Sequence, residues 1–476
     1  MKNVQLLQLI AKFSISNWIN FILGLLSVVI LTRLLRPEQY GLLNIFNNAV
    51  ALILSVVYLG LDSSYIRFYN EPPEEKSSFM IKLIFFSLIV DVSIVLFLVF
   101  FRGNEFTKQI FGISNTFVWW LVGLSVASQL ILRYLNIIYR MTFQTTKYNI
   151  QSVFIVICQK FFVIIASLWS NTDIQLLSIN VMGVVFLVCV YIAIQRNDII
   201  PYSPKFSLSF HGYGSVFKYA LFAAPLAICV NLNNFFSQQI IVRFLGRAYV
   251  GIYSSAGYFS SILSAIQSGF TTFWSAFMYS HYKTEHALIR KVHDYVMFGA
   301  ITLMFIFICF KDCIYLFIGE NYHDSKQFFA LVLIYPILSL ISETTIYGLT
   351  IEKKNYYLLV SYFISIMCNI GGGYFLISKM GLLGIAYANA MSGVLLFSIN
   401  TIFAQKYYMS ILNPLKTIWG LLIILIMALT NTYFQRNFEL IFIIIEYVFG
   451  VFLYRDIVMM LYNLIYGYLK CWRGRG

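Results

Sequence analysis

The chain has 476 residues, of which 60% are hydrophobic and only 11% are charged, and these proportions exclude most classes of soluble protein. A soluble domain is about half apolar and about a quarter charged. Because a membrane-spanning helix needs about 20 mostly apolar residues, the apolar content corresponds to about 14 spans. The charged minority is unbalanced, with 33 Lys and Arg against 19 Asp and Glu, for a net charge of +14.

Apolar runs alternate with short polar breaks along the whole chain. We predict spans throughout, including the first near Phe13–Leu31, the eighth near Val250–Phe277, the tenth near Phe328–Leu349 and the last near Leu440–Met460. With the N-terminus inside, the inner loops hold roughly twice as many Lys and Arg as the outer loops, as the positive-inside rule requires. We therefore expect both termini in the cytoplasm. Most of the positive charge then orients the protein, and no nucleic-acid partner is needed to explain it.

The longest polar connection within the body runs from Gln195 to Lys218 and has the composition of a linker. This predicts an N-terminal bundle of spans one to six over residues 1–200 and a cytoplasmic linker over residues 201–217. A C-terminal bundle of spans seven to twelve would cover residues 218–410, with two extra helices over residues 411–476.

A short motif occurs in both predicted bundles. Arg33 precedes a Leu by two residues and Gly41 by eight, and Arg243 has the same spacing to a Leu and to Gly251. Each copy follows the first span of its bundle, and transporters commonly bind substrate between such repeats. The predicted fold is therefore an all-α integral membrane protein with about 14 transmembrane helices in two pseudo-symmetric bundles around a central cavity.

The sequence from Arg33 to Gly41, which reads RLLRPEQYG, and the sequence from Gly60 to Arg67, which reads GLDSSYIR, carry a family resemblance. In these motifs the chain resembles the polysaccharide transport family, within the multidrug/oligosaccharidyl-lipid/polysaccharide exporter superfamily. The resemblance implies a flippase of the bacterial cytoplasmic membrane whose substrate is an undecaprenyl-diphosphate-linked oligosaccharide of the O-antigen or capsule type. Membrane lipids and a polysaccharide polymerase are the implied partners.

A flippase of this kind needs a wet, cationic groove for the diphosphate. Lys160 and Arg133 fall inside predicted spans, where ionisable residues are costly and usually face the bundle interior. We predict that both meet the diphosphate and that Arg67 and Lys218 help it to enter from the cytoplasm. The alternative for Arg133 is that it extends to the interface, and the alternative for Arg67 and Lys218 is positive-inside anchoring.

Two intramembrane carboxylates are candidates for ion coupling or for a salt bridge, namely Asp91 and Glu343. Asp91 is predicted to pair with Lys160, either in one transport state or as a static pair that fixes helix register. Glu343 is a candidate for binding a proton or cation, although such residues more often reach the interface.

Amide side chains at helical spacing mark two predicted spans that are equivalent in the repeat. We predict that these amides line the cavity and bind sugars; tight helix packing is the alternative. The residues are Asn17 and Asn20 in the first span, and Asn231, Asn234 and Gln238 in the seventh, where they follow Pro225.

No catalytic function, cofactor or metal site is expected. The chain has no Gly-rich nucleotide loop, and its 7 Cys show no ligand-like spacing. The alternatives to the predicted activity are a flippase of the peptidoglycan lipid precursor and a drug antiporter of the same superfamily.

Overall fold

A computed structural model describes residues 16, 19–20, 22–199, 212–354, 356–460 and 462–463. Every regular element in these ranges is a helix. The first apolar helix, α1, covers Ile22–Leu34. The others in the first half are α2 Pro37–Tyr58, α3 Leu61–Phe68, α4 Lys76–Phe100, α5 Gly103–Phe111, α6 Phe117–Met141, α7 Thr145–Trp169, α8 Asp173–Ile199, α9 Gly214–Phe244 and α10 Arg247–Gly257. They are followed by α11 Ser260–His281, α12 His286–Cys309, α13 Lys311–Tyr315, a 3₁₀ helix Glu320–Gln327, α14 Phe329–Ser342, α15 Tyr347–Ile351, α16 Tyr356–Met380, α17 Leu382–Gln405, α18 Pro414–Tyr433 and α19 Arg436–Leu453.

Within the described residues, 10 helices are long and apolar enough to cross a membrane, and the bent pair of the 3₁₀ helix and α14 would make 11. The all-α membrane architecture is thus confirmed, but the predicted number of 14 spans is not. The remaining predicted spans correspond to helices that are short, interrupted or more polar. The predicted span Val250–Phe277 is interrupted between α10 and α11, and α19 carries Arg436, Glu439 and Glu446.

Contacts divide the chain into two compact units, one of Met1–Ser255 with Ile318–Tyr322 and the other of Ala256–Phe317 with His323–Gly476. The first unit therefore includes α9, which the sequence interpretation assigned to the C-terminal bundle. The linker 201–217 falls mostly outside the described residues. The division into domains at that linker stays a prediction, as does a cavity between the bundles.

The repeated motif has a structural counterpart inside the first unit. Pro37 occupies the first turn of α2, where its missing N–H costs nothing. One turn later, a Cβ atom on Gly41 would lie 2.0 Å from the carbonyl oxygen of Arg247. A Cβ atom on Gly251 would lie 2.2 Å from the carbonyl oxygen of Pro37. The two motif copies thus meet by a reciprocal backbone contact of α2 with α10 that only glycine permits.

The second unit contains a buried ionic cluster. Lys311 Nζ donates to Glu439 Oε1 and to Asn431 Oδ1, both at 2.7 Å. Arg436 lies 3.3 Å from the other Glu439 oxygen and 2.6 Å from Asp312. Burial lowers the pKa of Lys311, while its hydrogen bond to Glu439 acts in the opposite direction. The cluster therefore ties α13 to α18 and α19 through charges that satisfy one another.

Replacing either glycine of the repeat by alanine should destabilise the protein. In Gly41→Ala and Gly251→Ala the new methyl group would overlap backbone atoms, which side-chain rearrangement cannot relieve, at a cost of about 1–3 kcal/mol. Thermal unfolding in detergent should show a lower Tm for both. Gly269→Ala is the control, since nothing lies within 4 Å of its added Cβ atom. Equal Tm values for all three variants would contradict the contact.

Replacing Lys311 by methionine should also lower stability. The change leaves the Glu439 carboxylate, which is 1% exposed, with Arg436 as its remaining cation. Loss of a buried ionic partner costs on the order of 3 kcal/mol. Lys326→Met is the matched control, because Lys326 is one-third exposed and 3.5 Å from Asp312, and such pairs contribute about 0–1 kcal/mol. Tm values that fall equally in both variants would argue against a stabilising role specific to the buried pair.

Candidate functional site

A cavity of about 410 Å³ lies in the first unit, between α2, α3, α6 and α7. This volume is in the range of small-ligand sites, about 300–1,000 Å³. Its lining combines an ion pair, a tyrosine, four other uncharged polar side chains and an apolar wall. The lining residues are Leu54, Tyr58, Asp62, Gln129, Leu132, Arg133, Asn136, Ser152, Ile155, Val156 and Gln159.

Helical spacing explains why these polar side chains meet. On α6, Gln129, Arg133 and Asn136 are four and three residues apart, and such residues lie on one face of a helix. On α7, Ser152 and Gln159 are two turns apart and share a face in the same way. The cavity is therefore bounded by the polar faces of two consecutive helices.

Arg133 is the cation of this cavity, and its partner is Asp62. Arg133 Nη2 lies 3.4 Å from Asp62 Oδ2, and the arginine side chain is 48% exposed. Asp62 is in the first turn of α3, where a carboxylate is also favoured by the helix dipole. The single long contact leaves most of the five guanidinium N–H donors available.

The amides around the ion pair are ordered by weak contacts. Asn136 Nδ2 donates to Gln151 Oε1 at 3.3 Å, and Gln129 Nε2 donates to Ser125 Oγ at 3.2 Å. Asn20, predicted to bind sugars, donates to Ser152 Oγ at 3.0 Å, next to the cavity lining. Such side chains retain free donors and acceptors for a polar ligand.

Lys160 does not line this cavity. It follows Gln159 on α7 and is therefore rotated by about 100° around the helix from that residue. Its side chain is half-buried, and no described residue forms an ion pair or hydrogen bond with it. The structure thus brings Arg133 into a polar cavity but does not bring Lys160 and Arg133 together there.

The two predicted entry residues lie outside the cavity. Arg67, at the end of α3, is exposed and lies 3.9 Å from Glu71. Lys218 is exposed near the start of α9. Neither shares a pocket with Arg133, and their role in entry stays a prediction.

The predicted amide stripe of α9 is divided between different environments. Asn231 donates to the backbone oxygen of Ala227 at 3.0 Å, and Asn234 is exposed. Gln238 is buried and lies 3.5 Å from Ser254 Oγ. Asn17 lies outside the described residues. Sugar binding by these residues stays a prediction.

The two predicted coupling carboxylates differ in their surroundings. Asp91 is 2% exposed on α4, and its Oδ1 atom has no hydrogen-bond partner among the described residues. The described ion pairs do not include one between Asp91 and Lys160. Glu343 lies in the second unit, where Gln267 donates to its Oε1 at 2.9 Å. Its hydrogen bond joins α11 to the end of α14.

The sequence interpretation missed Asp62 and the polar residues Gln129, Asn136 and Gln159. The spacing of Gln129, Arg133 and Asn136 on α6 is a signal that could have found two of them. Asp62 lies within the motif GLDSSYIR, but its pairing with a residue 71 positions later is not readable from spacing.

A larger cavity of about 700 Å³ lies in the second unit and contains none of the predicted site residues. Of its two lysines, Lys416 is largely buried and lies 3.1 Å from Asp294, whereas Lys291 is exposed. Asn413 is the one amide in its lining. The smaller cavity is the better candidate site because it contains a predicted site residue, Arg133, and three amide side chains line it.

A family model described as polysaccharide biosynthesis protein matches residues 6–279, more than half of the chain. The chain belongs to this family. The match confirms the predicted membership of the polysaccharide transport family. No curated protein sequence matches the chain significantly.

Solved transporter structures share the fold of this family member. The lipid II flippase MurJ, in an inward closed conformation, superposes with a TM-score of 0.70 at 17% identity, over 95% of this chain and 99% of that one. An inward-facing multidrug resistance MATE transporter of the MOP superfamily gives 0.55 at 12% identity, covering 81% and 93%. MATE in the bent conformation gives 0.54 at 14% identity, covering 85% and 97%. Family and fold together identify a multi-pass membrane protein of the polysaccharide biosynthesis protein family with the same fold as these transporters.

The cavity should be open to water. In a background without native cysteines, we expect Gln159→Cys to react readily with a charged, water-soluble thiol reagent, because position 159 lines the cavity. Phe161→Cys is the control, two residues along α7, with a side chain that is exposed but outside the cavity lining. Labelling is followed by mass shift in intact membranes. Equal or faster labelling at position 161 would contradict a wet cavity.

Proposed function

We propose that this protein translocates undecaprenyl-diphosphate-linked oligosaccharide repeat units from the inner to the outer leaflet of the bacterial cytoplasmic membrane. The product would serve the synthesis of O-antigen, capsule or exopolysaccharide. One observation carries the proposal: a half-exposed arginine and several amides share a cavity between apolar helices in a chain of the polysaccharide biosynthesis protein family.

The chemistry of the cavity fits the headgroup of such a lipid. The guanidinium of Arg133 can donate two parallel hydrogen bonds to phosphate oxygens. Gln129, Asn136 and Gln159 offer both donors and acceptors, which is what sugar hydroxyl groups require. In this proposal Lys160 provides a second positive charge near the cavity rather than a direct contact within it.

Translocation proceeds by alternating access, with the polyprenyl tail remaining in lipid. Burial of the diphosphate is the main barrier, and a cation in the path lowers it. If the cytoplasm is negative, outward movement is favoured by about 2.3 kcal/mol per charge per 100 mV. Asp91 and Glu343 remain the candidates for coupling an ion to this cycle.

A flippase of the peptidoglycan lipid precursor is the second candidate, and the fold likeness to the lipid II flippase favours it. Both candidate substrates are lipid-linked, and Arg133 suits either headgroup if it carries a phosphate. A drug antiporter for organic cations fits less well, because the exposed charge in the cavity is positive.

The proposal predicts that Arg133→Gln slows flipping. Hydrogen bonds to charged groups contribute about 1.5–3 kcal/mol, so the initial rate should fall about tenfold or more. Lys160→Gln should have a smaller effect, since Lys160 is outside the cavity lining. The measurement is the appearance of undecaprenyl-diphosphate-linked oligosaccharide in the outer leaflet of proteoliposomes, detected by a lectin added outside.

Arg140→Gln is the matched control, because Arg140 is exposed on the same helix but does not line the cavity. Its rate should stay within about twofold of the wild-type rate. Unchanged flipping in Arg133→Gln, at equal protein level, would refute the site. Faster flipping of lipid II than of the linked oligosaccharide in the same vesicles would favour the second candidate.

A further inference from the structure

The geometry of the Asp62–Arg133 pair allows another anion to replace Asp62 as the partner of Arg133. The two side chains approach through one atom pair at 3.4 Å. A tight arginine–carboxylate pair makes two parallel bonds at about 2.7–2.9 Å. Asp62 is 16% exposed and Arg133 is 48% exposed, so the arginine faces open space on the side away from its partner. A partly exposed pair with one long contact contributes on the order of 1 kcal/mol, which an incoming ligand can offset.

A carboxylate and a phosphate compete for the same guanidinium donors, because both present two oxygens at similar spacing. Asp62 therefore occupies, within the cavity lining, the place that an anionic headgroup needs. When the headgroup takes those donors, Asp62 is left beside it as a like charge. Such a charge raises the free energy of the bound state and favours release.

The position of Asp62 depends on α9. Gly60, directly before α3, has a φ of 77°, and its added Cβ atom would lie 2.3 Å from the backbone oxygen of Ala220. Ser64, one turn after Gly60, donates to the backbone oxygen of Val216 at 3.0 Å. The start of α3 is thus packed directly on α9, and a shift of α9 would move the Asp62 carboxylate relative to α6.

We propose that Asp62 is an internal competitor of the anionic headgroup for Arg133. The headgroup displaces Asp62 as it binds, and the Asp62–Arg133 pair forms again as it leaves. Asp62 thereby keeps the affinity of the site low enough for turnover. This inference rests on the proposed function, since it takes the cavity to bind a lipid diphosphate.

The test measures binding and release of farnesyl diphosphate by the purified full chain at constant ionic strength, with inorganic pyrophosphate as the comparison probe. Removing the competing charge in Asp62→Asn should lower the Kd by about 2- to 5-fold, the range expected for a partly exposed ion pair. The release rate should fall with it. The same change in an Arg133→Gln background should have no effect. Tightening for both probes would assign the effect to the diphosphate, and tightening for farnesyl diphosphate alone would assign it to the lipid-linked form.

Glu105→Gln is the matched control, because it removes one negative charge from an exposed pair with Arg102 in the same unit but away from the cavity. Asp62→Glu keeps the competing charge and should retain the wild-type Kd to within about twofold. Equal Tm values for the variants would show that the fold is intact. A second uncharged variant, Asp62→Ser, is measured if Asp62→Asn does not fold.

Two results would overturn the inference in distinguishable ways. If Arg133→Gln weakens binding while the uncharged variants at position 62 bind as wild type or more weakly, Asp62 is not a competitor and the proposed site stands. If Arg133→Gln leaves binding unchanged, both the competition and the diphosphate site fail. Equal tightening in Glu105→Gln would show a general charge effect and would also refute the role of Asp62.

Discussion

An ionised side chain among apolar groups needs a counter-ion, because removing it from water costs several kcal/mol. This constraint organises both units. Lys82, buried in the first, lies 2.7 Å from Glu74, and Lys311, buried in the second, lies at the same distance from Glu439. Neither lysine is available to a ligand, because each is buried in a close ion pair. An anionic ligand can be met by a cation whose pairing is loose or absent, and Arg133, unlike Lys160, combines a loose pairing with a place in the cavity lining.

The Glu74 carboxylate shows how such pairing also fixes the backbone. It accepts hydrogen bonds from Lys82 and from the Tyr213 hydroxyl, just before α9. Burial and this hydrogen bond raise the pKa of Tyr213, so the phenol stays a donor. The start of α9 is therefore attached to α4 by a polar contact within an apolar surrounding. Like the packing of Gly60 on Ala220, this contact holds α9 close to the helices that carry the candidate site.

The sequence predicts the architecture well wherever one helix has a long apolar run. It fails where the backbone breaks inside such a run, as in Val250–Phe277, because Gly257, Tyr258 and Phe259 do not interrupt the hydropathy. Arg133 was predicted from its intramembrane position. Its partner Asp62 was not, because two residues 71 positions apart meet only through the packing of α3 on α6. Lys160 was predicted from the same kind of position, but it does not line the cavity. Position in a span does not determine the direction in which a side chain points.

The repeat contact and the candidate site are connected through one helix, α2. Gly41 and Gly251 let α2 and α10 approach to backbone contact, and α2 continues to Tyr58 at the wall of the cavity. Directly after α2, Leu59 and Gly60 adopt positive φ angles and turn the chain into α3, which begins one residue before Asp62. The same helix thus joins the repeat contact at one end to the carboxylate of the candidate site at the other. Because α10 follows α9 directly, a movement of this pair would be transmitted to Asp62 at two points, through α2 and through Gly60.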